Sequence, residues 1–309
     1  MITILSGGTG SIKLVRGLAS IDEELVIIAN VGDNFSIYDL YIAPDLDIIL
    51  YGLSGFLDEE RRWGVKGDTF NFLNQMDVFG EDSWFNIGDK DLAMHIYRTH
   101  YIQKGLTLSE ITDKVREKLG IKIKIIPASN DVIQTKVQVQ CGEIHFQEYW
   151  VRNKAKDKVL GIRYDGSEIA SAAPGVIKAI MDSELVIICP ANPITSIGPI
   201  LSVSEIRESL KSSSAYVSAI SPIIDNNSVS GPAAKLMGYL GMEVNALGVA
   251  RLYSDFLNAL LIHNSDAYLK NNLVVMGIRP FVTDILMRES EDEIRLAKFI
   301  VEYSRRFLK

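Results

Sequence analysis

The chain opens Met1-Ile2-Thr3-Ile4-Leu5-Ser6-Gly7-Gly8-Thr9-Gly10. Ile2 to Leu5 is a short, apolar, β-branched run, the composition of a strand covered on both faces. It ends in a glycine loop. Lys13 to Ala19 then places Leu14, Val15 and Leu18 at helical spacing. Glu24 to Ala29 (ELVIIA) is a second buried strand. A strand, a glycine loop, a helix and a strand in this order open a doubly wound sheet.

Further strands are expected at Glu184 to Cys189 (ELVIIC), Tyr216 to Ile220, Val244 to Val249 and Leu273 to Met276. Helices are expected at Glu205 to Lys211 with Ser204 as cap, at Ala233 to Leu240, and at Glu291 to Phe307. The middle of the chain differs. Thr107 to Lys118 has a helical apolar face. Lys122 to Ile126, Gln134 to Gln140 and Glu143 to Tyr149 alternate apolar with polar, as half-exposed antiparallel strands do. The expected fold is α/β, a Rossmann-like doubly wound and mainly parallel sheet with a smaller α+β insertion. Residues 1–90 and 165–309 would form the nucleotide-binding core and 91–164 the insertion.

The 309 residues are 47% hydrophobic and 23% charged, with a formal net charge of −7. This is ordinary globular composition, long enough to bury a core without staples. There is no basic stripe of the kind a nucleic-acid partner requires. No apolar run approaches the ~20 residues of a membrane helix. An N-terminus that runs straight into strand and loop has no secretory leader, so a cytoplasmic location is expected. Cys141 and Cys189 have no metal-ligand spacing and read as reduced, buried core residues.

Five segments could carry chemistry. Gly7, Gly8, Thr9 and Gly10 lie between strand and helix, where backbone N–H groups and a helix N-terminus receive a phosphate. No Gly-Lys-Ser/Thr follows, and Lys13 stands where GxGxxG needs a small residue. Neither a Walker loop nor a nicotinamide site is therefore supported. The acid such a site places on the ribose is also lacking, because Asp33 lies beyond the end of the second strand.

Pro44-Asp45-Leu46-Asp47 pairs two carboxylates. They suit Mg²⁺, which takes one or two carboxylates plus substrate phosphates, or equally the acidic first turn of a helix. Gly88-Asp89-Lys90-Asp91 offers Asp89 as a helix cap and Lys90 as a partner for a phosphate or a ring carbonyl, and His95 stands one turn on from Asp91. Asn192, Thr195 and Ser196, within Asn192 to Pro199, form a second loop at a strand end. Ser230 and Gly231 precede Pro232 at a helix start. Three such loops on one sheet suit a nucleoside diphosphate. No nucleophilic elbow, triad or zinc motif is present, so the chemistry rests on positioning and charge neutralisation, as in phosphoryl transfer.

Together these stretches resemble the 2-phospho-L-lactate transferase family of coenzyme F-420 biosynthesis. Arg61-Arg62-Trp63-Gly64, Gly67-Asp68-Thr69-Phe70 and His145-Phe146-Gln147 add to the match, and the segments keep their order along nearly the whole chain. The resemblance implies a cytoplasmic, Mg²⁺-dependent transferase, a homodimer in many members. Its donor would be a guanosine diphosphate ester of lactate or of phosphoenolpyruvate. Its acceptor would be the ribityl hydroxyl of a hydroxy-deazariboflavin, with GMP as leaving group. It also implies site roles. Asp45 and Asp47 would serve the metal and the reaction, and Asp47, Asp89 and Lys90 the deazaflavin. A related Gly-Gly-Thr-Gly family that binds nucleotide sugars in a regulatory role is the alternative.

Overall fold

The computed structural model describes residues 1–21 and 23–308. Seven parallel strands form the central sheet. They are β1 (Ile2–Ser6), β2 (Leu25–Ala29), β3 (Lys124–Pro127), β4 (Leu185–Ile188), β5 (Tyr216–Ile220), β6 (Ala259–His263) and β7 (Arg279–Thr283). Their spatial order is β7-β6-β5-β4-β1-β2-β3. The chain winds outward from β1 through β2 to β3, returns to β4 on the other side of β1, and winds outward again. This is the Rossmann order with one strand added, and its switch point lies between β1 and β4. Ile2 pairs with Leu25 on one side and Leu185 on the other, so the loops after β1 and β4 leave the same end of the sheet. All residues of β1, β2 and β4 are buried, which explains their largely apolar sequences.

Helix α1 (Ile12–Ala19) carries the chain from the glycine loop back along the sheet and packs against the terminal helix, Ser290–Arg305. Four more helices matter for the site: α2 (Pro44–Ser54), α3 (Asn71–Val78), α4 (Asp89–Gln103) and α5 (Leu108–Lys118). Thr107 caps α5 through a reciprocal bond with Glu110. A separate antiparallel sheet is built from Gln134–Val139, Gly142–His145 and Gly161–Asp165.

Several segments differ from their sequence pattern. Lys122 to Ile126 reads as an antiparallel, half-exposed strand, but its ordered part is β3, parallel to β2 at the edge of the main sheet. Only Lys124, at its start, is exposed, while Ile125, Ile126 and Pro127 are buried. Glu143 to Tyr149 is strand only as far as His145 and then turns into a π-helix, Glu148–Arg152.

Val244 to Val249 is not a strand. Asn245 caps the helix Ala246–Leu252, its side chain accepting from the amides of Leu247 (2.9 Å) and Gly248 (3.1 Å). Leu273 to Met276 belongs to the helix Lys270–Val275 and its C-terminal end, where Val274 and Val275 face solvent. A central strand would have buried both. The strands that complete the sheet are instead β6 and β7, which no sequence signal separated from their helical neighbours. Ser204 is the first residue of the helix Ser204–Ser212, whose cap position is Val203. Cys189 is buried as expected, but Cys141 is exposed in the turn before Gly142.

Candidate active site

The glycine loop closes on itself where β1 ends, the amides of Ser11 (2.9 Å) and Ile12 (3.2 Å) donating to the Gly8 carbonyl. Two neighbouring segments press on it so closely that side chains are excluded. A Cβ on Gly7 would lie 2.5 Å from Ser196 Cβ, and one on Gly8 would lie 2.2 Å from Asp45 Oδ1. The loop is thus wedged between the Asn192 to Pro199 segment and the first turn of α2.

On one side of the loop lies a cavity of about 450 Å³. Its polar wall includes Gly8, Thr9, Asp33, Asp45, Asn192 and Ser196, and Thr195, Ser230 and Gly231 also line it. Trp63, Phe85, Phe146 and Trp150 supply flat apolar surfaces around it. On the other side lies a cavity of about 790 Å³ between α1, the residues Leu57, Glu59 and Arg62, and the segment Ile285 to Ser290. Thr9, Gly10, Arg62, Pro190 and Ser230 line both cavities, so two ligands could meet at the loop.

The second loop is held by its own asparagine. Asn192 Oδ1 accepts from the amide of Ile194 (3.0 Å), and Tyr164 donates to the Ile194 carbonyl (2.6 Å). Asn192 Nδ2 is a buried donor without a partner among the described residues.

The carboxylates are arranged differently from the sequence expectation. Asp45 and Asp47 sit on the first turn of α2, with Pro44 as its first residue, so the helix-terminus reading of this motif holds. Their side chains diverge. Asp45 turns to the glycine loop and accepts from Asn30 Nδ2 (2.9 Å), which also donates to the Thr195 carbonyl (3.2 Å). Asp47 turns to Arg98 of α4, whose two terminal nitrogens reach both of its oxygens. Asp33, from the loop after β2, lines the same cavity as Asp45 and feels its charge.

Burial pushes the Asp33 carboxyl well above the usual range, and the charge of Asp45 pushes it further. Burial likewise raises Asp45 to about 6, against the hydrogen bonds from Asn30 and the Gly8 amide. Asp33 Oδ1 has no hydrogen-bond partner among the described residues. Two buried carboxylates with a free oxygen and, among the described residues, no ion pair to a basic side chain fit a divalent cation. Asp47, Asp91 and His95 also bring ligand atoms within 4.8 Å of one another, but Arg98 already supplies the positive charge there. His95 Nε2 lies 3.4 Å from Asp91, so the pairing expected along α4 is present.

Asp89 and Lys90 stand apart from both cavities. Asp89 is the first residue of α4 but caps α3, accepting from the amides of Asn71 (3.2 Å) and Phe72 (2.9 Å). The Thr69 hydroxyl, the Phe72 amide and Asn71 lower its carboxyl to about 2. The cap of α4 comes instead from Asp68, which accepts from the amides of Lys90 (2.8 Å) and Asp91 (3.0 Å). The Lys90 ammonium is spent on the carbonyls of Lys66 (3.1 Å) and Gly67 (2.9 Å). Sequence reasoning missed Asn30 and Arg98 and weighed Asp33 only for a nicotinamide ribose. The available signal for Asn30 and Asp33 was their place just past the C-terminal end of β2, where open α/β sheets bind ligands.

Residues 2–299 match the family model described as 2-phospho-L-lactate transferase CofD. Curated proteins named 2-phospho-L-lactate transferase are similar along the whole chain. The protein of Methanococcus maripaludis strain C6 is 42% identical over 308 residues, covering 98% of each chain. That of Methanocaldococcus jannaschii is 41% identical over 309 residues, again covering 98% of each. That of Methanosarcina mazei is 38% identical over 301 residues, covering 97% of this chain and 99% of its own. Among solved structures, a UPF0052 family member from Bacillus halodurans superposes with a TM-score of 0.65 at 16% identity, covering 97% of this chain and 99% of its own. That likeness is one of fold. No helix among the described residues is long and apolar enough to cross a membrane.

Proposed function

Since this chain belongs to the 2-phospho-L-lactate transferase family and is a transferase of that kind, we propose that it moves the phospholactyl group from a guanosine diphosphate ester to the ribityl hydroxyl of a deazaflavin, releasing GMP. An enolpyruvyl donor is the same chemistry with a different ester, and the step belongs to the making of coenzyme F-420. The observation that carries the reading is the pair Asp33 and Asp45 beside a glycine loop flanked by two cavities.

The diphosphate lies over Gly7 to Gly10 and Asn192 to Ser196, where backbone amides and the free Asn192 Nδ2 receive its oxygens. The donor nucleoside takes one cavity. The acceptor ring takes the aromatic-walled one, among Trp63, Phe85 and Trp150. Asp33 and Asp45 would hold Mg²⁺, which would supply positive charge for the phosphates and favour the ionised form of both carboxyls. Asn30 ties Asp45 to the carbonyl of Thr195 and so links the metal side of the site to the phosphate side.

With no Ser, Cys or His motif of a covalent nucleophile in the sequence, the hydroxyl attacks the lactyl phosphorus directly, the bond to GMP breaks and the hydroxyl proton passes to solvent, with inversion at phosphorus. Alignment of two bound substrates can itself be worth ~7–11 kcal/mol. A homodimer goes with this reading and is checked by sizing.

The test is to incubate the protein with Mg²⁺, the deazaflavin alcohol and each guanosine diphosphate donor, then weigh the product by mass spectrometry. The expected result is a phospholactyl or phosphoenolpyruvyl adduct that disappears in excess EDTA. Full turnover in EDTA would refute the cation. Tight nucleotide-sugar binding with no transfer would favour the regulatory alternative.

A further inference from the structure

Arg98 is 3% exposed, a full charge inside the protein, and the proposed chemistry makes no use of it. Its guanidinium forks onto both oxygens of Asp47, and Nη1 also reaches the carbonyl of Tyr41 (3.3 Å). Tyr41 lies before the Pro44 turn and Asp47 after it. The guanidinium therefore bridges the turn that presents Asp45, while the Asp47 amide closes it by donating to the Ala43 carbonyl (3.0 Å). The base of the clamp is firm. Asp68 caps α4, and Tyr51 of α2 donates to Asp91 of α4 (2.7 Å) one turn before His95.

The clearance on the other side of the turn is small. Asp45 Oδ1 stands where a Cβ of Gly8 would be, at 2.2 Å, and Ile48 Cδ1 is 3.0 Å from the same point. A shift of this turn by an ångström would carry Asp45 away from the glycine loop or into it. A planar, bidentate guanidinium fixes the direction of both Asp47 oxygens, whereas an ammonium is a point charge with rotatable donors.

We propose that Arg98 is a positioning residue. It clamps the first turn of α2 so that Asp45 faces Asp33, and it keeps Asp47 neutralised and out of the cation site. Asp47 is then an anchor rather than a metal ligand. This rests on the proposed reading of Asp33 and Asp45 as the cation pair.

The experiment measures Mg²⁺ binding by calorimetry in the presence of GDP, alongside GDP binding without metal and thermal unfolding. Arg98→Lys keeps the charge and loses the fork. Its Mg²⁺ affinity should fall on the order of tenfold or more, with GDP affinity in the absence of metal unchanged; misplacement by ~1 Å typically costs up to 10²-fold in rate. Arg98→Met should weaken Mg²⁺ as well. If Asp47 were instead a ligand that Arg98 merely occupies, freeing it would tighten Mg²⁺, and that result would overturn the clamp.

Should Arg98→Met not fold, the double variant Arg98→Met with Asp47→Leu removes the buried pair without leaving an orphan charge, a replacement other proteins tolerate. Wild-type Mg²⁺ affinity in the double variant or in Arg98→Lys would also overturn the proposal. A wild-type protein that binds GDP but no Mg²⁺ would refute the cation reading itself. A wild type that binds Mg²⁺ no better than Arg98→Lys refutes the clamp alone.

Discussion

Asp45 is a carboxylate that burial has made reluctant to ionise. Its pKa is raised to about 6, and an unfolded aspartate titrates near 4. Between these values the native protein holds a proton that the unfolded chain has released. Stability from this residue is therefore lost as pH rises from ~4 through ~6, and the loss is complete by pH 7. The sign is opposite to that of a salt-bridged acid. In the absence of divalent cation, Asp45→Asn should unfold at a higher temperature than the wild type at pH 7, by the equivalent of about 2–3 kcal/mol. The two should converge near pH 4, and Mg²⁺ should stabilise only the wild type. Thermal unfolding across that range checks it; a variant less stable than wild type at pH 7 without metal would show that Asp45 is not strained by burial. At the same scale, only the position of Asn30 after β2 marked it in sequence, and its partners did not. An asparagine after a strand is ordinary, and its link between Asp45 and Thr195 spans 165 residues on one side.

At the level of elements, the exchange of caps between α3 and α4 decides what the Gly88-Asp89-Lys90 motif is for. In sequence, Asp89 reads as a helix cap or a substrate contact. The fold makes it a cap, but of α3, and assigns the cap of α4 to Asp68. Asp89→Ala should therefore destabilise residues 71–78, seen as faster amide exchange in α3 with a modest fall in Tm, and leave deazaflavin binding as it was. Loss of deazaflavin affinity with α3 unchanged would restore the substrate role to Asp89. Helix or strand identity failed where the apolar run was short. Leu273 to Met276 has a strand's residues, but its exposed valines follow from a helix lying on the surface. The Asn245 cap was legible in principle, because asparagine before an apolar run is a helix-start signal.

At the level of the whole molecule, the site joins the two halves of the sheet. The glycine loop and the Asp33 and Asp45 segments come from the β1–β2 half, and the Asn192 to Pro199 loop follows β4. A ligand bridging the halves should stabilise the molecule as a unit. GDP and Mg²⁺ together should raise Tm by more than the sum of their separate effects. At 100 times its dissociation constant, one bound ligand contributes about 2.7 kcal/mol, enough to resolve the difference. Strictly additive shifts, measured by calorimetric melting, would mean that metal and diphosphate do not share a site.

Much of this architecture was written locally. The buried runs of β1, β2, β4 and β5, the glycine loop between β1 and α1, and the Pro44 helix start all depend on neighbours within a few residues, so sequence alone placed them and the Rossmann-like class followed. The segments that line the cavity, Gly8 to Gly10, Asp45, Asn192 to Ser196 and Ser230, were legible for the same reason: each is a turn at the end of a strand or the start of a helix. The partnerships inside the cavity were not. Whether Asp45 shares a wall with Asp47 or Asp33, whether Lys90 reaches a ligand or two carbonyls, and that Arg98 lies against Asp47 fifty-one positions away, are set by how α2 and α4 lie against each other and their neighbours. Side-chain direction on a helix turn and burial of charge are long-range quantities, and only the packed chain assigns them.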